Sequence, residues 1–355
     1  MHYKTLFFCI AIVLLILSCQ PRTQPPPRPN WPVQDHKYDS EFPAKPTSAY
    51  LSRIIESIKM VSTLTFYKAY DFALKDSVTV RDIHNDIYRT RALNEYIYEQ
   101  PSAGTIVAIY QSGKKILFLT CSHIVSHKDT VFTYYAVSPE AQKPSPYLYS
   151  FAKKIRQMTN LISIPGSSQP KILAFDEEND LALVGVTLLH TPQHPFPVFP
   201  YPLGKAQELE WGSFVYLIGY PKGKLLITHS IVSAPNRDSK HSFLINATVT
   251  RGISGGPILA LRDGPPHFEL VGIASAISAH LQYYLKPELL EHNTFIDTQN
   301  PYTGRAYIGK RLAGDSNIVF AIPAEVITRF IRQNIPKLKE YGFHIPADFP
   351  RVTHQ

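Results

Sequence analysis

The sequence predicts an all-β protein built around two antiparallel barrels, and three observations carry that prediction. Short runs of β-branched and aromatic residues, each bounded by Gly, Pro or polar residues, recur between Gly104 and Ala274. They fall into two groups on either side of the proline-rich stretch His190 to Pro202, which reads as a crossing between two units. Helical spacing stands out instead at residues 48–62, where Leu51, Ile54, Ile55, Ile58 and Val61 share one face. With 355 residues, 44% of them apolar, the chain can bury cores of ordinary size without disulfides.

In chain order, Lys4 precedes an apolar run from Leu6 to Leu17, too short for a comfortable membrane span and suited to the core of a signal peptide. Ile16-Leu17-Ser18-Cys19 resembles a bacterial lipobox, which implies a leader over residues 1–18 and a lipid on Cys19. Such a chain would sit in the bacterial cell envelope, anchored to a membrane on its periplasmic or outer face. Residues 19–47 then read as a proline-rich tether, because QPRTQPPPRPNWP holds too few amide donors for a helix or a central strand. Cys9 lies in the leader and Cys19 would carry lipid, so Cys121 is the one thiol left and no disulfide is expected.

After the helix at 48–62, Gly104 to Tyr110 and Lys115 to Thr120 flank Gln111-Ser112-Gly113-Lys114 as a hairpin. Leu181 to Val186, Phe214 to Gly219, Phe243 to Val249 and Glu269 to Ala274 are further short strands. Three segments exceed what two barrels need, at about 76–100, 138–171 and 280–314. Within them Tyr147 to Asn160 is a candidate helix, and Tyr283-Tyr284-Leu285 with Leu289-Leu290 a candidate lid.

The chemistry resides in three strings, TCSHIV, NDLALV and RGISGGP, which hold His123, Asp180 and Ser254. A serine hydroxyl is a poor nucleophile near neutral pH, so an imidazole must take its proton and later return it to the leaving group. His123 suits that role, and a carboxylate such as Asp180 would fix the imidazole tautomer and stabilise its cation. An oxyanion needs preorganised donors, which backbone N–H groups on a tight turn supply. In Gly252-Ile253-Ser254-Gly255-Gly256-Pro257 those donors are the N–H groups of Gly252 and Ser254.

These strings resemble the trypsin-like serine peptidases, and their surroundings resemble the HtrA/Deg branch. Ser102 to Val107, Phe214 to Gly223, Thr228 to Ala234 and Phe320-Ala321-Ile322-Pro323 are similar to segments of that branch, in the same order. The resemblance covers roughly residues 62 to 335. It implies six strands per barrel, a closing helix after Pro323 and a protease domain over 48–340, with barrels at about 62–190 and 203–325 and a tail at 341–355. It also implies a serine endopeptidase acting through an acyl-enzyme on protein or peptide substrates. One wall of the specificity pocket would be Thr248, Val249, Thr250 and Arg251, and the other Gly272, Ile273, Ala274 and Ser275. Thr248 stands where an acid would select Lys or Arg, so cleavage after small or aliphatic residues is expected.

Departures from the pattern are specific. Cys121 and Ser122 replace two small alanines, Ile253 replaces the Asp that receives a new N-terminus in digestive enzymes, and Arg251 replaces a usual Pro. Roughly twenty residues after the FAIP helix are too few for the PDZ domain most of the branch carries. A catalytically silent barrel that binds a peptide or an envelope partner is the alternative reading, in which Arg251 and Ile253 collapse the serine turn. The net charge of +8 comes from scattered basic residues without an aromatic-interleaved stripe, which argues against nucleic acid as a partner. His190 and His194 have helical metal spacing, yet Pro192, Pro195 and Pro197 deny them the helix; no metal and no cofactor is expected.

Overall fold

The computed structural model describes residues 34–135, 145–164, 166–247, 251–287, 299, 304–346 and 348–353. The expected leader, Cys19 and most of the expected tether lie outside them. So do Thr248, Val249 and Thr250, and Leu289 and Leu290 of the candidate lid.

Helix α1 (Ser48–Glu56) buries Ile54 and stops well short of residue 62. Ile58 and Val61, read from the sequence as helical, belong to strand β1 (Ile58–Asp71). The helical spacing of those residues is real, but the Thr-rich and β-branched run that follows pairs along its whole length with β2 (Asn94–Ser112), and that ladder overrides local periodicity. The segment between them folds into two short helices, α2 (Val80–His84) and α3 (Tyr88–Arg91).

Strand β3 (Lys115–Thr120) completes the expected hairpin with β2. It leads into the one-turn helix α4 (Ser122–Val125), followed by β4 (Thr130–Tyr134), β5 (Leu148–Leu161), β6 (Lys171–Asp176) and β7 (Leu181–Thr187). Residues 147–160, a candidate helix by sequence, are thus mainly strand. Alternate residues of that run share one face of the sheet, and the pairing with β1 supplies the backbone partners a helix would have supplied internally. The strands order as β4-β5-β1-β2-β3-β7-β6, a seven-stranded antiparallel sheet.

The second unit comprises β8 (Phe214–Gly219), β9 (Leu226–Ala234), β10 (Phe243–Asn246), β11 (Pro257–Leu261), β12 (Phe268–Pro287) and β13 (Ala306–Pro323). These six close into a barrel in the order β10-β13-β12-β11-β8-β9. The all-β architecture in two units holds, but of the two six-stranded barrels expected only the second closes; the first is a half-barrel sheet of seven strands. The sheet gains its extra strand from the 138–171 segment, read by sequence as excess. The described ends of the 280–314 segment continue the β12–β13 ribbon, on which Tyr284 and Leu285 are exposed. Helix α5 (Ala324–Glu340) follows β13 directly and buries Val326, Ile327, Phe330, Ile331 and Leu338.

One core runs through the sheet and under α5, including Ile106, Phe118, Leu119, Leu183, Ile218 and Ile327. A second fills the barrel, with Val215, Leu217, Phe243, Ile258 and Val319. A satellite cluster of Tyr70, Phe72, Val78, Ile83, Tyr88, Leu148 and Phe151 lies where α2 and α3 meet β1 and β5, so the first insertion is seated on a small core shared with those strands. No helix among the described residues is long and apolar enough to cross a membrane. Phe118 is fully buried in the first core. Phe118→Ala is expected to lower unfolding free energy by about 3–5 kcal/mol, read by urea denaturation with an unchanged slope.

Candidate functional site

Asp180 immediately precedes β7 and has a left-handed backbone (φ +54), a conformation Asp tolerates better than most residues. Its carboxylate gathers four donors. His123 Nδ1 lies 2.8 Å from Oδ2 and 3.0 Å from Oδ1, and the His123 backbone N–H donates to Oδ1 at 3.0 Å. The Ser122 hydroxyl donates to Oδ1 at 3.1 Å and the Ser275 hydroxyl to Oδ2 at 2.6 Å. An ionised carboxylate only accepts, so the ring proton belongs on Nδ1 and Nε2 is left as an acceptor. The His123 side chain is about half exposed at 48%, so that acceptor can meet an incoming group.

Burial by itself pushes the Asp180 carboxyl up, and the bonds from His123 and Ser275 outweigh it, holding the group below its ordinary value of 3.8. Stability from this arrangement is therefore in force above pH 3.8 and is lost as pH falls below it.

Ser254 sits on a turn fixed by two glycines in the left-handed half of backbone space, Gly252 (φ +107) and Gly255 (φ +81). A Cβ on Gly252 would come 2.2 Å from the Tyr220 carbonyl oxygen, and one on Gly255 2.0 Å from that of Thr105. Thr105, on β2 of the sheet, ties the turn to the seam. Its N–H donates to the Ser254 carbonyl at 2.8 Å, and its hydroxyl donates to the Gly252 carbonyl at 2.8 Å while accepting from the Tyr220 N–H at 3.0 Å. The Arg251 carbonyl accepts from the Lys222 N–H at 3.0 Å. Because a trans peptide points its C=O and N–H in opposite directions, that bond turns the Gly252 N–H away from Lys222. Among the described residues neither the Gly252 nor the Ser254 N–H has an intramolecular acceptor.

Gly104 brings the two halves together. A Cβ there would lie 2.3 Å from Ile124 Cδ1, next to His123 in α4, and 2.8 Å from the Ser254 carbonyl oxygen. The histidine turn and the serine turn therefore flank the same backbone atom. No hydrogen bond joins His123 Nε2 to Ser254 Oγ among the described residues; such bonds commonly tighten only around a reacting group.

The remaining sequence candidates divide differently. Ile273 and Ala274 are fully buried, so their side chains belong to the two cores instead of an open pocket. A Cβ on Gly272 would meet the Ile322 carbonyl oxygen at 2.5 Å, and the Ser275 hydroxyl is spent on Asp180. Arg251 is exposed, and Ile253, only 2% exposed, is a barrel-core residue. Sequence reasoning gives Thr105 no role and Ser122 none beyond replacing an alanine; the signal for Ser122 is a hydroxyl residue beside the motif histidine. Cys121 Sγ, His123 and Asp180 offer possible metal-ligand atoms within 4.8 Å of one another, but the four donors on the carboxylate compete with any cation there.

Two outcomes follow from this geometry. Thr105→Val removes the hydroxyl and strands a buried N–H and a buried C=O; stability should fall by about 2 kcal/mol or more, with faster hydrogen exchange at the Tyr220 amide. Asp180→Asn should flatten the acid side of the stability profile, so the gap in melting temperature between wild type and variant narrows as pH drops from 6 toward 3.

Residues 104–273 match the family described as the trypsin-like peptidase domain. No curated protein matches the sequence. Among solved structures, the HtrA-type protease AlgW with a decapeptide aligns at 16% identity and TM-score 0.42, over 82% of this chain and 68% of that one. AlgW with a tripeptide aligns at 16% identity and TM-score 0.41, over 86% of this chain and 70% of that one. The serine endoprotease from Yersinia pestis aligns at 16% identity and TM-score 0.41, over 83% of this chain and 68% of that one. The span that matches the trypsin-like peptidase domain, residues 104–273, runs across the seam where the sheet meets the closed barrel.

Proposed function

We propose that the chain is a serine endopeptidase in which Ser254 is the nucleophile, His123 the general base and Asp180 the group that orients it. The observation that carries this reading is the shared contact at Gly104, which sets the turn of a histidine whose Nε2 has no partner among the described residues beside a serine turn whose Gly252 and Ser254 N–H groups have no acceptor among them. In the reaction Ser254 Oγ attacks the scissile carbonyl while His123 Nε2 takes its proton. The carbonyl oxygen becomes anionic between the N–H groups of Gly252 and Ser254. The imidazolium, stabilised by Asp180, then protonates the leaving amine, and water hydrolyses the acyl-enzyme by the same steps in reverse.

Exposed segments of other proteins are the proposed substrates, cleaved after small or aliphatic residues, and the envelope is the proposed compartment, with a lipid on Cys19 as the anchor. The silent-barrel alternative is favoured by one observation, the absence of a hydrogen bond between His123 and Ser254 among the described residues. Fluorophosphonate labelling separates the two. Wild type should label and cleave casein, while Ser254→Ala should not label, and Ser254→Ala and His123→Ala should each lose about four to six orders of magnitude in turnover. Labelling that persists in Ser254→Ala, or peptide binding by an unlabelled wild type, defeats the peptidase reading. A peptide panel with a strong preference for Lys or Arg would defeat the assignment of specificity alone.

A further inference from the structure

The one-turn helix that carries His123 cannot hold itself. A helix of four residues leaves almost all its carbonyls without an internal partner, and only the Ser122 carbonyl is met from within, by the Ser126 N–H at 2.7 Å. Side chains from the strands beneath supply most of the rest. Ser102 Oγ on β2 donates to the Ile124 carbonyl at 2.7 Å, and Gln157 Nε2 on β5 donates to the Val125 carbonyl at 2.6 Å. Just beyond the helix, Lys154 Nζ donates to the His127 carbonyl at 2.7 Å and the Tyr67 hydroxyl to the Lys128 carbonyl at 2.7 Å.

These donors stand on a polar ladder of the sheet. In the β1–β5 register Thr63 faces Thr159, Thr65 faces Gln157 and Tyr67 faces Lys154, with a bulge between Phe66 and Tyr67 that re-aims the last pair. Thr63, Thr65 and Tyr67 are almost fully buried. Thr63 and Thr159 share a hydrogen bond at 3.0 Å, and Thr65 Oγ1 lies 2.7 Å from His127 Nδ1. Buried polar groups in a core require partners, and here the partners converge on the histidine turn. The groups around His127 are Thr65, Gln157, Lys154 and His123 itself; burial, then the charge of Lys154, hold its pKa below the ordinary 6.5, favouring a neutral ring.

We propose that Gln157 is a positioning residue for the reaction: it fixes the backbone of the His123 turn, so that the β5 strand contributed by the 138–171 segment is part of the catalytic apparatus. The inference rests on the peptidase reading. A merely structural residue would alter stability and expression, whereas a positioning residue alters the transition state more than substrate binding. Gln157→Glu keeps the shape and the acceptor toward Thr65 and the His127 N–H while removing the donor to Val125.

The experiment compares Gln157→Ala, Gln157→Glu and the same-strand control Arg156→Ala in the full chain, by kinetics well below each melting temperature and by NMR of the His123 Nδ1 proton. Both Gln157 variants should lose between about tenfold and a hundredfold in kcat with KM within about twofold. The Nδ1 proton resonance should broaden or shift in both and stay in place in Arg156→Ala. Equal kcat losses in all three variants, or Gln157 variants with wild-type kcat and an unmoved resonance, overturn the proposal. An inactive wild type would instead defeat the peptidase reading, and the resonance would still decide whether Gln157 holds the ring.

Discussion

The molecule depends on a close approach that only glycine permits. At position 104 the β2 backbone of the sheet passes between Ile124 of the histidine turn and the carbonyl of Ser254, leaving no room for a side chain on either side. The next residue, Thr105, fastens the approach with three hydrogen bonds, one through its backbone and two through its hydroxyl. Because these contacts join groups about 150 positions apart, closing the seam carries an entropic cost that the local structure on either side does not. The precision of the geometry at the seam is borrowed from the rigidity of the two cores.

Asp180 shows how the seam sets chemistry as well as shape. Taking a carboxylate out of water penalises its charge, and without partners it would bind a proton. Donors from α4, its backbone and the barrel strand β12 reverse that outcome. The same bonds choose which ring nitrogen of His123 carries hydrogen. Tautomer, charge and orientation are thereby decided together, and Ser275 makes the barrel a party to what is otherwise an arrangement within the sheet.

The segments that look superfluous in a two-barrel plan do not share one role. The 76–100 stretch folds back on β1 and β5, where its Tyr88 meets Tyr70 and Phe151 edge-on. The 138–171 stretch supplies β5, whose polar side chains meet carbonyls of the histidine turn and the residues just beyond it. The 280–314 stretch lengthens a ribbon of the barrel and presents Tyr284 and Leu285 to solvent. Insertions in loops are tolerated where they do not disturb a core, and these add strand pairing or apolar burial of their own.

Much of this was legible in the chain. Alternating apolar residues bounded by turn formers gave the strand class and the hairpin at 111–114, and the three strings marked His123, Asp180 and Ser254, because residue chemistry and backbone permissiveness are local properties. Where two conformations suited the same residues locally, the sequence could not choose. Ile58 and Val61 fit a helical face as well as a strand, and residues 147–160 fit a helix, until partners distant in sequence paired with them. The side chains of Ile273 and Ala274 are buried for a related reason: whether they point into a cleft or a core depends on strand register, which is a tertiary quantity. Sequence alone determined which groups could do chemistry here; the tertiary structure decided which of them meet, because hydrogen-bond partners such as Thr105, Ser122, Ser275 and Gln157 acquire meaning only when distant strands come within about 3 Å.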